Sequence, residues 1–193
     1  MQELTQILAF IKEIDQLKGV LRKTRPHGMQ RYENSAEHSW HVTLAALMLK
    51  DYAAGPVDIN RVLRMLLIHD LCEIDTGDVI VYDAVGNEHE AAEVAATQRI
   101  LGMLPNKMGT EYIALWHEFE AATSNDARFA KALDRALPLM HNLSDDGHSW
   151  ITHGISKDQV KNVNGGRIKA GCPELWELLE PLVDEAQLKG WLS

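Results

Sequence analysis

The sequence predicts an all-α protein that folds as a single domain over residues 1–193, and three observations indicate this. The chain has 193 residues, of which 46% are hydrophobic and 24% charged, as in an ordinary globular protein with one substantial core. Apolar residues recur at spacings of three and four through most of the chain. No segment shows the apolar and polar alternation that is typical of a half-buried strand.

Capping and turn-forming residues divide the chain into a succession of predicted helices. The predicted helices span about residues 2–18, 35–52, 58–73, 88–104, 110–122, 125–143, 156–163 and 173–188. Ser35, Asp58 and Asn125 are the predicted caps of three of them. Loops are predicted at residues 78–86, at the turn-rich residues 144–154 and at Asn164-Gly165-Gly166.

Polar residues interrupt the apolar face of three predicted helices. His38 heads the buried stripe of its helix, and Asp134 falls at the edge of the apolar arc of another. His69 and Asp70 continue the apolar arc of the helix between them. A buried carboxylate is costly unless a positive or hydrogen-bonding group meets it, and one divalent cation offsets two carboxylates at once. The pattern therefore predicts one metal site at an interior point.

Such a site indicates phosphoester hydrolysis. A cation held by imidazoles and carboxylates keeps open positions for water or substrate, and it both lowers the pKa of a bound water and polarises a phosphoryl oxygen. Glu73 lies one helical turn from His69 and Asp70, where it is either the acid/base or a carboxylate that orients His69 or a nearby arginine. Asp78 follows the Gly77 break, where it either orients water or a phosphate-binding residue or caps the next turn.

The charge distribution limits the partners of the chain. A net charge of −9 argues against general affinity for nucleic acid, which needs a basic face. Residues 18–31 nevertheless contain no acidic residue, and they carry five basic ones: Lys18, Arg22, Lys23, Arg25 and Arg31. This cluster would offer counter-charge to a small phosphate, although each member alone fits a solvated surface. The longest apolar run, residues 42–49, is too short to cross a bilayer, and no signal segment precedes the first helix, so we expect a cytoplasmic protein without membrane contact.

Other histidines and the two cysteines receive no role in this prediction. His41 lies off the centre of the apolar stripe, which favours a place beside the site or at the surface. His141 lies two turns beyond Asp134, too far to reach the same ion. His89 lies in an acidic first helical turn and is predicted to be structural. The two cysteines, at positions 72 and 172, form neither a disulfide framework nor a paired zinc motif.

The order of His38, His69-Asp70 and Asp134 on a helical background resembles the HD-domain metal-dependent phosphohydrolases. The segment Glu37-His38-Ser39 and the block H-D-x-x-E-x-x-x-G-D that begins at His69 resemble the branch containing the 5′-deoxynucleotidases. The resemblance covers most of the chain, and this block is its specific part. It implies a metal-binding core at about residues 35–143, on which C-terminal helices at residues 156–190 pack.

The resemblance implies a homodimer that removes the 5′-phosphate from deoxyribonucleoside monophosphates. One divalent metal, which could be Mn, Co, Zn, Ni or Fe, would be bound by His38, His69, Asp70 and Asp134. Glu73 and Asp78 match functional positions of this branch. An arginine near the end of the first helix contacts substrate in such enzymes, and Arg22 is the nearest match, with Arg31 a second possibility.

The sequence departs from the pattern at one place, and it leaves other functions open. In bacterial members of the branch a tryptophan follows the substrate arginine and helps to exclude ribonucleotides, whereas Lys23 stands there in this chain. One alternative is an HD-type hydrolase of another nucleotide, such as a triphosphate, an alarmone or a cyclic phosphodiester. Another is a non-catalytic regulatory module in which the metal is structural.

Overall fold

The computed structural model describes residues 1–83 and 86–193, and within them the regular structure is helical. The α-helices are α1 (Gln2–Ile14), α2 (Ser35–Leu49), α3 (Ile59–Ile68), α4 (Glu73–Thr76), α5 (Asn87–Leu101), α6 (Asn106–Ala121), α7 (Asn125–Ser144), α8 (His148–His153), α9 (Lys157–Gln159), α10 (Gly166–Gly171) and α11 (Pro173–Leu188). Short 3-10 segments follow α1 and α2, and a π-helical segment, Val160–Gly165, joins α9 to α10. The described residues contain no β-strand, so the predicted all-α class is confirmed.

Two helices begin with caps that differ from the predicted ones. Asn34, rather than Ser35, caps α2, because its side chain accepts from the backbone N–H of Glu37 while the Glu37 carboxylate accepts from the Asn34 N–H. The Ser35 hydroxyl instead donates to Glu73. Ser124, rather than Asn125, caps α7. The prediction for α3 is correct, since the Asp58 side chain accepts from Asn60 N.

Several predicted helix ends also shift. The helix predicted at residues 88–104 is α5, which ends at Leu101, and the one predicted at 110–122 is α6, which begins at Asn106. Pro105 can immediately precede α6 because the first helical amides need no partner within the helix. The predicted loop at residues 78–86 contains no helix up to residue 83, and residues 84 and 85 lie outside the described chain.

The helix predicted to continue to Glu73 ends at Ile68 instead. The carbonyl of His69 accepts a hydrogen bond from the indole N–H of Trp116, at 3.1 Å, and turn-type bonds join residues 68–76. A side chain from α6 thus takes a carbonyl that a continuing α-helix would use, and the chain re-enters helix only for the single turn of α4. Gly77, with φ +73°, ends that turn.

Two C-terminal segments predicted as loops contain helices. Residues 144–154 include α8, which lies between the left-handed Gly147 and Gly154. The predicted Asn164-Gly165-Gly166 loop lies within continuous helical backbone. Gly165 is needed there for close packing, because a Cβ at this position would lie 2.6 Å from the indole of Trp176.

Helix α7 links the two apolar clusters of the core. Leu133 and Leu137 pack with α2, α3, α5 and α6, while Ala136 and Leu139 pack with α8, α10 and α11. α10 lies so close to α7 that a Cβ at Gly171 would fall 2.1 Å from the carbonyl oxygen of Arg128. The division into one domain stays a prediction. Among the described helices, none combines the length and apolar character needed to cross a bilayer.

Candidate metal centre

Three separate segments bring buried ligand-type side chains to one point. His38 lies on α2, His69 directly follows α3, and Asp134 lies on α7. Asp134 Oδ1 is 3.1 Å from His38 Nε2 and 3.4 Å from His69 Nε2. Ligand atoms of the three residues all lie within 4.8 Å of one another. The structure therefore assembles these three sequence-predicted ligands in the interior.

Asp70 joins this cluster through one carboxylate oxygen. Its Oδ1 lies 3.1 Å from His69 Nε2. Its Oδ2 accepts a hydrogen bond of 2.7 Å from Arg22 Nη1. The guanidinium thus fixes the orientation of the fourth predicted ligand and leaves Oδ1 directed at the cluster.

The hydrogen bonds of His69 fit a cation ligand. Its Nδ1 lies 2.8 Å from the carbonyl oxygen of Leu66, which can only accept, so Nδ1 carries the proton. In the neutral ring Nε2 then presents its lone pair to the cluster, and this buried atom has no hydrogen-bond partner among the described residues. A lone pair beside two carboxylates is unfavourable unless a positive charge lies between them, so the donor set fits a divalent metal.

The charges of the site also favour a cation. Burial would lower the pKa of His69, but Asp70 and Asp134 raise it to about 9. Burial would raise the pKa of Asp134, but Arg135 and the imidazoles of the cluster hold it well below its usual range. The two carboxylates therefore favour a positive charge at this point.

Two further carboxylates and Arg22 line the adjoining cavity of about 250 Å³. The Glu73 carboxylate accepts from Ser35 Oγ, and it lies 3.8 Å from Arg22 Nη1. Asp78 Oδ1 lies 3.5 Å from the same nitrogen. Burial and the charge of Asp70 raise the pKa of Glu73 well above its usual value, and burial raises the pKa of Asp78 although Arg22 opposes it.

Arg31 lies elsewhere. Both of its terminal nitrogens bind the Glu37 carboxylate, at 2.7 and 2.8 Å, on the protein surface. It borders a second cavity rather than the one beside the cluster. Of the two arginines predicted for substrate, the structure brings only Arg22 to the metal centre.

The sequence reasoning missed three residues near the site. Glu33 is buried behind His38, with Oε2 3.5 Å from His38 Nδ1. Arg135 and Lys131 line the cavity, and the Lys131 ammonium binds both oxygens of Glu120 at 2.9 Å. Lys131 lies one helical turn before Asp134, and this spacing could have indicated that Lys131 lies near the site. No local signal distinguished Glu33.

Comparison with known proteins supports the same fold. The HD domain family model matches residues 14–176. A human protein named 5′-deoxynucleotidase HDDC2 is 30% identical over 136 residues, which cover 69% of this chain and 65% of that protein. A protein of Saccharomyces cerevisiae named 5′-deoxynucleotidase YBR242W is 28% identical over 136 residues, 67% of this chain and 56% of that protein. The chain thus spans less than two thirds of the length of either relative.

A solved structure is similar over its whole length. It is described as a predicted metal-dependent phosphohydrolase from Magnetospirillum magnetotacticum MS-1, with 44% identity, a TM-score of 0.93 and full coverage of both chains. The PH0347 protein from Pyrococcus horikoshii OT3 shares the fold, with a TM-score of 0.60 at 20% identity over 94% of this chain and 99% of that one. The family match, the ligand geometry and these relatives together lead to one conclusion: the chain belongs to the HD domain family.

Proposed function

We propose that this chain is a metal-dependent phosphohydrolase that removes the 5′-phosphate from deoxyribonucleoside or ribonucleoside monophosphates. The observation that carries the proposal is the convergence of His38, His69 and Asp134 beside a cavity that also holds Arg22 and Glu73. The human and yeast relatives named 5′-deoxynucleotidases support a nucleotide substrate.

The four predicted ligands, His38, His69, Asp70 and Asp134, would hold one divalent cation. Imidazole and carboxylate donors together suit Mn, Co, Zn, Ni or Fe. When bound, such an ion lowers the pKa of a coordinated water and polarises a phosphoryl oxygen.

Arg22 is the residue that we propose binds the phosphate. A guanidinium carries five N–H donors in a rigid plane, and its Nη1 donates to Asp70 at 2.7 Å. Further donors can therefore meet phosphate oxygens in the cavity that Arg22 lines. The ion pair with Asp70 fixes the plane of the guanidinium before substrate arrives, which reduces the entropy lost on binding.

Glu73 is the residue that we propose moves the proton. Hydrolysis joins a water oxygen to phosphorus and breaks the bond from phosphorus to O5′, so one proton leaves the water and one is delivered to the nucleoside hydroxyl. Ser35 and Arg22 hold the Glu73 carboxylate at the wall of the cavity where the substrate would bind, as proton transfer requires. Asp78 contacts the same guanidinium and would keep it in place.

Chromatographic analysis of the products formed from a panel of nucleotides, which resolves nucleosides, phosphate, tripolyphosphate and linear dinucleotides, tests this proposal. Metal-stripped protein is supplied in turn with manganese, cobalt, zinc and magnesium, and is given ribo- and deoxynucleoside mono-, di- and triphosphates and a cyclic dinucleotide. Asp134→Asn, prepared in parallel, controls for contaminating phosphatase. Phosphate release from monophosphates by the wild-type protein, and not by Asp134→Asn, supports the proposal. The ratio of the rates on ribo- and deoxynucleotides measures how far a chain with Lys23 at this position discriminates between them. Hydrolysis restricted to other nucleotides indicates a different HD-type hydrolase, and inactivity throughout indicates a regulatory module.

The homodimer and the cytoplasmic location are further parts of this proposal. Apolar side chains along α2 are exposed, and Trp40 has 65% of its surface accessible. The others on this helix are Leu44, Leu47 and Met48. Such a face fits an interface between subunits. Light scattering on the purified protein, compared with Trp40→Glu, tests the dimer.

A further inference from the structure

We propose a second binding site, for a transition metal of the zinc type, formed by Glu33, His41 and His141. It lies beyond His38 from the first centre and goes beyond the proposed function. The same two helices supply both histidines: His41 follows His38 by one turn on α2, and His141 follows Asp134 by two turns on α7. A ligand atom from each of the three residues lies within 4.8 Å of the others.

Two buried atoms at this point lack hydrogen-bond partners among the described residues. Glu33 is 2% exposed and His141 is 5% exposed. Glu33 Oε2 and His141 Nδ1 are both unpartnered, and they lie 3.7 Å apart. The rings of His41 and His141 stack with their centroids 5.8 Å apart. Unpaired polar atoms are rare in protein interiors because each costs free energy, and a cation between these three would satisfy them together.

The site can be reached from solvent. All three residues line a cavity of about 600 Å³, which is separate from the cavity of the first centre. Its rim includes the exposed side chains of Met29 and Met140, which lie outside the α2 face proposed for the dimer. A cation could therefore enter without passing through the first centre, as a metal site requires.

The donor set selects the class of ion. Two imidazoles and one carboxylate are a usual protein ligand set for zinc, with a further position left for water. Magnesium and calcium prefer oxygen ligands and would bind poorly between two imidazoles. We therefore expect Zn²⁺, Co²⁺ or Ni²⁺ to occupy the second site and Mg²⁺ not to.

Glu33 belongs to the second site and also contacts His38 of the first, so metal binding at one site should weaken metal binding at the other. Glu33 Oε2 faces His141 Nδ1 on one side and His38 Nδ1, at 3.5 Å, on the other. A carboxylate behind a metal-bound histidine orients the ring and raises its basicity. A cation on Oε2 would weaken that support for His38, and linkage requires the effect to be reciprocal. This coupling rests on the proposed role of His38, whereas the second site itself does not.

Equilibrium dialysis of the full chain against Zn²⁺, with elemental analysis of the bound metal, tests the second site. The variants are His41→Gln, His141→Gln and Asp134→Asn, and His153→Gln is the matched control, since His153 is exposed on α8 outside both clusters. We expect two equivalents in the wild type and in the control, and one equivalent in each of the other variants. Loss of a direct ligand should weaken the second site by more than the roughly 100-fold that loss of an outer contact can cost.

The outcomes separate the two proposals. Lower zinc binding than wild type in either folded histidine variant supports the second site. If Asp134→Asn binds as much zinc as the wild type, the proposed metal binding at the first centre is refuted, but the second site is not affected. Circular dichroism identifies folded variants, and one folded variant suffices. Zinc binding equal to wild type in both His41→Gln and His141→Gln overturns the second site. Zinc also competes directly for the first site, so the coupling is measured against His141→Gln, in which only that competition remains. The coupling is overturned if zinc raises the apparent Kd of the first site for manganese by the same factor in the wild type and in His141→Gln.

Discussion

Replacing Arg22 by methionine tests the charge arrangement of the metal centre most directly. The Arg22 side chain is 10% exposed and faces four carboxylates, on Asp70 at 2.7 Å, Asp78 at 3.5 Å, and Glu73 and Glu33 at 3.8 Å. Methionine fills a similar volume without the charge. The substitution therefore leaves these carboxylates close together and without their shared counter-ion.

The expected loss of stability follows from breaking a buried ion pair by removing one partner, which costs roughly 3–5 kcal/mol. We expect about 3 kcal/mol in metal-free protein, at the lower end of that range, because Glu73 and Asp78 can take up protons. For a chain of 193 residues this corresponds to a fall in Tm of about 6–12 °C.

The loss should also depend on pH. Removing Arg22 raises the pKa of Glu73 and Asp78 further above their unfolded values, so the folded variant binds more protons than the unfolded chain. Stability of the variant, relative to wild type, then falls as pH rises. The difference in Tm should be larger at pH 8 than at pH 5.

Thermal unfolding followed by circular dichroism in the presence of a chelator measures this loss, and Arg31→Met is the matched control. Arg31 is an exposed arginine that pairs with Glu37, so its replacement should leave Tm close to that of wild type. A Tm shift in Arg22→Met no larger than in Arg31→Met would refute the charge argument. An equal rise in KM for a nucleoside monophosphate in both variants would refute the assignment of phosphate binding to Arg22.

Three other perturbations follow from the same structure. Glu73→Gln should keep bound metal, measured by elemental analysis, and lower kcat by about 10²-fold; wild-type turnover would reduce Glu73 to a scaffold role. A metal added at about 100 times its Kd should raise the free energy of unfolding of the metal-stripped wild type by about 2.7 kcal/mol, measured in urea after the chelator has been removed. Asp134→Asn should abolish that gain. Gly171→Ala should cost about 1–3 kcal/mol, because its Cβ would overlap the Arg128 carbonyl, whereas Gly19→Ala, which has open space, should cost less; equal values would contradict the close packing of α10 on α7.

The helix pattern and the polar interruptions could be predicted because both depend on residues close in sequence. Periodicity identifies the buried face of a helix, so a histidine or aspartate on that face is recognisable without knowing its neighbours. His38, His69 and Asp134 were identified in this way, and the structure brings them together. The helix ends were less predictable, because the end of α3 depends on Trp116 of α6, a residue distant in sequence, whose indole N–H donates to the His69 carbonyl.

The choice between two arginines needed the folded chain. Arg22 and Arg31 belong to the same basic segment, and their local charges are alike. Glu37 binds Arg31 because the capping box of α2 fixes that carboxylate six residues away, whereas the isolated bridge between Leu21 and Asn34 holds the backbone beside Arg22 next to the start of α2. The carboxylates that each arginine meets in the folded chain decide which of the two reaches the metal centre, and the spacing of residues in the sequence does not reveal these partners.

Gly165 illustrates a second limit of sequence reasoning. An Asn-Gly-Gly sequence is typical of a turn, but a glycine also allows two chain segments to approach closely, and the local pattern is the same for both. The indole of Trp176 occupies the space that a side chain at residue 165 would need. Only the position of α11 therefore distinguishes the two interpretations.

The charges of the centre imply an order of binding. A nucleoside monophosphate carries a phosphate dianion, and the acidic side chains that line the cavity outnumber the three basic ones, Arg22, Lys131 and Arg135. A dianion entering this excess of negative charge would be repelled, since Coulomb interactions are strong where water is largely excluded. A divalent cation bound by His38, His69 and Asp134 would add two positive charges and remove that repulsion. We therefore expect metal to bind the free protein and substrate to bind only after it, so that substrate affinity, measured by calorimetry, vanishes in the chelated protein while metal affinity persists without substrate.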